Sequence, residues 1–192
     1  MRTVREFPGG RMRVLVGDIT TWEGGAIVNA ANSGLSGGGG VDGAIHAAGG
    51  PEILEACRTL RATSLKAGLP AGAAVASCAG KLHAARVIHT VGPVWAGGGS
   101  GEAETLASCY REALRIAAGE GLRTIAFPAV STGVYGYPRK EAARVAFGAV
   151  SRHLEAQVLP ERVDFVFFSV RDADDFLAGM GADSMRAGSE GR

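Results

Sequence analysis

The sequence predicts a layered α/β fold built on a largely parallel sheet, and three observations carry that prediction. Short β-branched apolar runs alternate with longer segments of helical spacing, the pattern expected when strands feed helices that cover a sheet. The chain has 192 residues, 46% of them hydrophobic, enough for one core and too few for a second. Its 30 glycines concentrate near 34–50, 92–101 and 133–136, marking loops where the backbone turns sharply or lets something approach closely.

Taken in order, strands are expected over 12–16, 26–29, 73–77, 86–91, 124–128 and 163–169, and helices over 43–48, 51–66, 102–120, 139–157 and 172–180. Pro51 suits the first position of its helix, where its missing N–H costs nothing. In the third helix Leu106, Cys109, Tyr110, Ala113, Leu114 and Ala117 recur at helical spacing and predict one buried stripe. Pro160 ends the fourth helix, and the continuous apolar run after it predicts a strand covered on both faces. Residues 96–101 fall between a strand and a helix of the same unit and are expected to be a flexible surface loop. Residues 1–180 are therefore expected to form one domain. Residues 181–192, all Gly, Ser, Ala, Met and charge, are expected to be a disordered tail.

Composition narrows the partners. Twenty Lys and Arg stand against nineteen Asp and Glu, a formal net charge of +1, so no long-range field draws a nucleic acid and any phosphate must be held locally. The first ten residues carry Arg2, Arg5 and Glu6 with no apolar stretch behind them, which is not a secretory pattern; no run of about 18 apolar residues suggests a membrane span. A cytoplasmic protein is expected. Cys57, Cys78 and Cys109 are scattered, without Cys-x-x-Cys spacing, and are expected to be buried apolar residues in a reducing compartment.

Three segments sit where an open α/β sheet places ligands, after the carboxyl ends of strands. Gly17-Asp18-Ile19-Thr20 follows the first strand; Asp18 either caps the next turn or accepts from an exocyclic amine such as that of adenine. The second segment, Asn29-Ala30-Ala31-Asn32-Ser33-Gly34-Leu35-Ser36-Gly37-Gly38-Gly39-Gly40-Val41-Asp42, leads into a helix and exposes amides where a helix dipole favours an anion. It has no Gly-Lys-Ser or Gly-Lys-Thr, so it is not a triphosphate loop, and it is not the dinucleotide fingerprint. The third, from Phe127 through Ser131, Thr132, Gly133, Val134 and Tyr135 to Pro138, repeats the strand–small residue–helix arrangement. Two such sites side by side suit a diphosphate. Tyr137 is expected to pack, Tyr135 to belong to the loop.

Ser131 lacks a Gly-x-Ser-x-Gly elbow, and no cysteine lies in a glycine loop. His83, His89 and Cys78 show no zinc spacing, so no metal site and no cofactor are expected. His46 is expected to be a packed, hydrogen-bonded residue.

The second and third segments resemble the macrodomain family, in its MacroD-type branch. The match runs from Arg13 to Phe168 and is anchored on Gly17-Asp18-Ile19-Thr20, Ile27-Val28-Asn29-Ala30-Ala31-Asn32, the run from Gly37 to His46, Val87-Ile88-His89-Thr90-Val91-Gly92-Pro93, and the run from Phe127 to Pro138. The resemblance implies a three-layer α/β/α sandwich around a mixed six-stranded sheet. It also implies that Asp18 bonds the adenine amine, that Ile19 supports it through its backbone, and that Phe168 packs on the base. By the same resemblance Ser131, Thr132, Gly133, Val134 and Tyr135 wrap the diphosphate. Gly38, Gly39, Gly40 and Val41 face the distal ribose, with Asn32 and Asp42 as the catalytic pair. The implied reactions are deacetylation of O-acetyl-ADP-ribose and removal of ADP-ribose from acidic side chains, with ADP-ribosylated proteins as partners. Both cleave an ester at the distal ribose by direct attack of water; Asp42 and a substrate phosphate are the two groups able to take its proton. A module that binds ADP-ribose without cleaving it is the alternative, followed by an RNA-binding or regulatory role. One departure from the family pattern is Gly24-Gly25, where a Val-Asp pair is common, and it is expected to loosen the start of the second strand.

Overall fold

The computed structural model describes residues 1–181, so the tail expected over 181–192 lies, apart from Gly181, outside the described residues. Seven strands form one mixed sheet: β1 (Arg2–Glu6), β2 (Met12–Val16), β3 (Gly24–Ala30), β4 (Ala74–Cys78), β5 (Ala84–Thr90), β6 (Thr124–Phe127) and β7 (Arg162–Phe167). Their order across the sheet is β1-β2-β7-β6-β3-β5-β4. The five central strands run parallel, and the two edges are antiparallel, β1 against β2 and β4 against β5. The helices are α1 (Gly40–Gly49), α2 (Pro51–Ala62), α3 (Glu102–Gly119), α4 (Arg139–Ala156) and α5 (Val170–Gly179).

Each face of the sheet carries its own core. Val14, Val28, Ile125, Phe127 and Phe165 pack with the inner sides of α3, α4 and α5, including Leu106, Tyr110, Ala113, Leu114 and Ala117 of the stripe expected on α3, all of which, with Cys109, is buried. On the opposite face Ile27, Val87 and Val166 pack with Ile45, Ile53 and Cys57 of α1 and α2. Strand alternation produces this division, since successive side chains point to opposite faces. The result is the expected three-layer α/β/α sandwich.

The differences from the sequence expectations have local causes. The sheet has seven strands rather than six because β1 is an edge strand with four of its five residues exposed, so it carries no apolar signature. Helix α2 stops at Ala62 instead of 66, where Thr63 leaves helical geometry and its hydroxyl bonds the Thr59 carbonyl at 2.8 Å. β7 ends at Phe167 because Ser169 caps α5, its side chain accepting from the Asp172 amide at 3.1 Å. Within buried β7, Asp164 is held by a bidentate pair from Arg13, both contacts 2.8 Å, and by the Trp22 indole at 2.9 Å. Gly24-Gly25 does not loosen β3: a Cβ at Gly24 would stand 2.3 Å from Trp22, and one at Gly25 2.5 Å from the Thr124 carbonyl. The glycines are what let β3 and β6 close. The loop over 96–101 is also more fixed than expected, because Glu102 accepts from the amides of Ala96, Gly98 and Ser100 at 3.0, 3.0 and 2.6 Å. Cys57 and Cys109 are buried as expected, but Cys78, at the end of edge strand β4, is exposed. Among the described residues no helix is long and apolar enough to cross a membrane.

Candidate active site

The carboxyl ends of β2, β3, β6 and β7 lie along one edge of the sheet, and the loops leaving them surround a cavity of about 780 Å³. That volume is within the usual range for small-molecule sites. All fourteen residues singled out from the sequence line it: Asp18, Ile19, Asn32, Gly38, Gly39, Gly40, Val41, Asp42, Ser131, Thr132, Gly133, Val134, Tyr135 and Phe168. The walls between them come from Ala30, Gly92, Pro128, Val130, Phe167 and Arg139, among others.

At one end, Asp18 caps a single 3-10 turn, Ile19–Thr21, with Oδ1 accepting from the Thr20 amide at 2.9 Å and the Thr20 hydroxyl at 2.8 Å. Both sequence readings of Asp18 are compatible, since Oδ2 has no hydrogen bond among the described residues. The Gly17 amide bonds the Phe167 carbonyl at 2.9 Å, which sets this turn beside Phe168. Phe168 lies just beyond β7 rather than in it and is 82% exposed.

The loop from Ser131 to Tyr135 forms the middle of the cavity. Ser131 adopts φ 66°, and its carbonyl takes the Tyr137 amide at 3.0 Å, curling the chain so that the amides of Ser131 to Tyr135 bond no group among the described residues. The Ser131 hydroxyl is buried without a hydrogen-bond partner among the described residues, so none of them stands as a base to activate it. Tyr137 packs on Trp95 with ring centroids 4.5 Å apart, while Tyr135 stays in the loop and its carbonyl takes the Trp95 amide at 2.8 Å.

At the other end α1 opens at Gly40, three residues before the expected start, because Gly39 takes the extended N-cap geometry and Gly40 turns at φ 59°, which places Asp42 in the first turn. A carboxylate there is favoured by the helix dipole. Asn32 shapes the glycine loop: its Nδ2 donates to the Gly37 carbonyl at 2.8 Å, and its Oδ1 accepts from the Ser36 amide and hydroxyl, both at 3.3 Å. Gly38 lies between the two candidate side chains. A Cβ on it would stand 3.1 Å from Asp42 Oδ2 and 3.7 Å from Asn32 Nδ2.

Five residues behind Asp42, namely Asn29, His46, Cys57, Ser77 and His89, were not assigned site roles from the sequence. Asp42, 5% exposed, accepts at Oδ1 from Asn29 Nδ2 at 2.7 Å, and His46 Nε2 is 3.4 Å from the same oxygen. Asn29 Nδ2 also meets His89 Nδ1 at 3.1 Å, and His89 Nε2 meets the Ser77 hydroxyl at 2.8 Å. Burial, and after it the neighbouring His46, lowers the His89 imidazole to about 4, so it is neutral at physiological pH. Burial, then Asp42 and Cys78, pushes the Cys57 thiol up to about 11. The i, i+4 spacing of Asp42 and His46 was the one sequence signal for this cluster.

No metal cluster is visible in the sequence spacing, yet the fold gathers ligand atoms of His46, Cys57 and His89 within 4.8 Å of one another. Ligands around a zinc ion stand roughly 3.3 to 3.8 Å apart, given its bond lengths. Here the Cys57 thiol, its titration pushed up to about 11, stays protonated, and His89 Nε2 meets the Ser77 hydroxyl at 2.8 Å and the Cys57 sulfur at 3.7 Å.

A family model described as Macro domain matches residues 28–146. The chain is 54% identical over 163 residues, 85% of its own length and 89% of the relative's, to a protein from Enterobacter sp. (strain 638) named O-acetyl-ADP-ribose deacetylase. It superposes with a TM-score of 0.87 on the Oceanobacillus iheyensis macrodomain with ADP, at 40% identity, covering 93% of this chain and 94% of that one. The Trypanosoma brucei macrodomain in complex with ADP-ribose superposes at a TM-score of 0.80 with 37% identity, covering 90% and 70%. With the family pattern across its glycine loops and the same layered fold over nearly its whole length, this chain belongs to the macrodomain family.

Proposed function

We propose that this protein binds ADP-ribose along the cavity and hydrolyses esters on its distal ribose, O-acetyl-ADP-ribose and ADP-ribose esters of Asp and Glu side chains being the substrates. The reading is supported most by one observation: a buried carboxylate, Asp42, whose Oδ1 is anchored while Oδ2, beside Gly38 in the cavity wall, has no hydrogen bond among the described residues. The relatives named above as an acetyl ester hydrolase and as ADP and ADP-ribose complexes agree with it.

In this reading the adenine lies between the Asp18 turn and Phe168, the diphosphate takes the open amides of the loop from Ser131 to Tyr135, and the distal ribose rests on Gly38, Gly39, Gly40 and Val41. Asn32 holds the glycine loop in place and offers its amide edge to a ribose hydroxyl. Water attacks the ester carbonyl carbon as Asp42 takes one of its protons. The bond from that carbon to the ribose oxygen breaks, and the departing oxygen is protonated, giving free ADP-ribose and a carboxylic acid. General-base assistance of this kind contributes about 10² to 10⁴ in rate.

The test is incubation with O-acetyl-ADP-ribose, and separately with a protein mono-ADP-ribosylated on glutamate, followed by chromatography for free ADP-ribose. Product from both is expected. Tight binding of ADP-ribose by calorimetry with no product from either substrate would identify a binding module instead.

A further inference from the structure

The polar cluster beneath Asp42 is more elaborate than packing needs. Asn29 and His89 are register partners on the adjacent parallel strands β3 and β5, and both are fully buried. Ser77 lies two residues along β4 from Val75, the register partner of His89. Asn29 Oδ1 and His46 Nε2 are buried without hydrogen bonds among the described residues, and unsatisfied polar atoms in a core cost stability that apolar side chains of similar size would avoid.

The bonds in this cluster allow a single arrangement of protons. Asn29 Nδ2 can only donate to His89 Nδ1, so the ring hydrogen is on Nε2, where the Ser77 hydroxyl at 2.8 Å accepts it and is free to donate to the Cys78 carbonyl at 2.9 Å. Nδ1 is then a bare lone pair, and it takes one N–H of Asn29 while the other N–H goes to Asp42 Oδ1. Rotating the Asn29 amide would put its oxygen against the Asp42 carboxylate, acceptor against acceptor. A hydrogen on Nδ1 would face the Asn29 N–H, donor against donor.

We infer that His89, backed by Ser77, is a positioning residue for ester cleavage: by holding the Asn29 amide it fixes Asp42 with Oδ1 inward and Oδ2 toward the reacting water. This inference rests on the function proposed above for Asp42. His89 touches neither the cavity nor Asp42 directly. The groups packed around it are Asn29 from β3, Ser77 from β4, His46 from α1 and Cys57 from α2, the Cys57 sulfur lying 3.7 Å from Nε2 and the His46 ring centroid 6.2 Å from its own, with Asp42 one step further on, beyond Asn29.

The experiment compares the wild-type chain with His89→Leu, His89→Asn and His89→Gln, each checked for folding by thermal melt. Asparagine can set its oxygen near the place of Nδ1 and still accept from Asn29, whereas the longer glutamine reaches toward Ser77. His89→Leu is expected to lower kcat on O-acetyl-ADP-ribose about tenfold or more, with KM and the ADP-ribose Kd within about threefold of wild type. His89→Asn should recover kcat to within about threefold of wild type, and His89→Gln should not. A folded His89→Leu with wild-type kcat overturns the inference, and so does His89→Gln outperforming His89→Asn. Imidazole nitrogen NMR of the wild-type protein gives a readout independent of turnover: His89 is expected as the neutral Nε2–H tautomer at pH 7. A Nδ1–H or doubly protonated ring there overturns the inference even if the enzyme is active. Failure of the wild-type protein to cleave the ester, with the NMR result as expected, removes the proposed function and leaves the hydrogen-bond chain as described.

Discussion

The two ends of the cavity are built differently. At the Asp18–Phe168 end the contacts are on the surface: Asp18 is an exposed side chain capping its own turn, and Phe168 is 82% exposed just past the end of a strand. At the Asn32–Asp42 end the loop is continuous with the core, and Asp42 is tied through Asn29 to His89 and Ser77 on the middle and edge of the sheet. The difference teaches that one end presents surface groups, whereas the other is braced from within the core. Recognition tolerates the first arrangement, because a flat aromatic gains by stacking wherever the base settles. Chemistry requires the second, because small displacements of a reacting group carry large rate penalties.

The largest expected effect sharpens that division. Asp42→Ala should reduce kcat on O-acetyl-ADP-ribose about 10² to 10⁴-fold while leaving the ADP-ribose Kd within about threefold, measured by steady-state kinetics and calorimetry. Equal losses in kcat and affinity would show that Asp42 serves binding and would erase the contrast between the two ends.

Next comes acid sensitivity at the deep end. Burial lowers His89 from its ordinary 6.5 to about 4, so between those values the unfolded chain binds a proton that the folded chain refuses. Stability from this group is therefore complete above about pH 6.5 and falls as the pH drops toward about 4, by about 3 kcal/mol in all. Below that it levels off. Denaturant melts across this window should show the decline, and His89→Asn, which cannot titrate, should flatten it.

Phe168→Ala tests the surface end. Losing one stacking face should weaken ADP-ribose binding by about 1 to 3 kcal/mol with kcat unchanged at saturation. A fall in kcat would mean that the rim positions the reacting end. The smallest change is expected for Asp18→Asn, which keeps an oxygen to cap Thr20 but loses the charge. ADP-ribose affinity should fall about three- to tenfold, with melting temperature and kcat retained.

What the sequence alone determined was whatever depends on local spacing. The α/β order, the α3 stripe from Leu106 to Ala117 and the three glycine-rich strand exits were legible, because apolar periodicity and small-residue loops act over a few neighbours, while single cavity residues such as Ile19 and Phe168 came from the resemblance to the macrodomain family. Strand β1 was not legible, since an exposed edge strand needs no apolar face, and neither was the stop of α2 at Ala62, which Thr63 decides. Only the tertiary structure could bring Asn29, Asp42, Ser77 and His89 into one line, because each sits on a different element and their contacts span 12 to 60 residues of chain. Sheet register and the seating of α1 on its face create those contacts. A side chain's hydrogen-bond partner in a core is chosen by which elements pack together, and that choice leaves no mark on its neighbours in sequence.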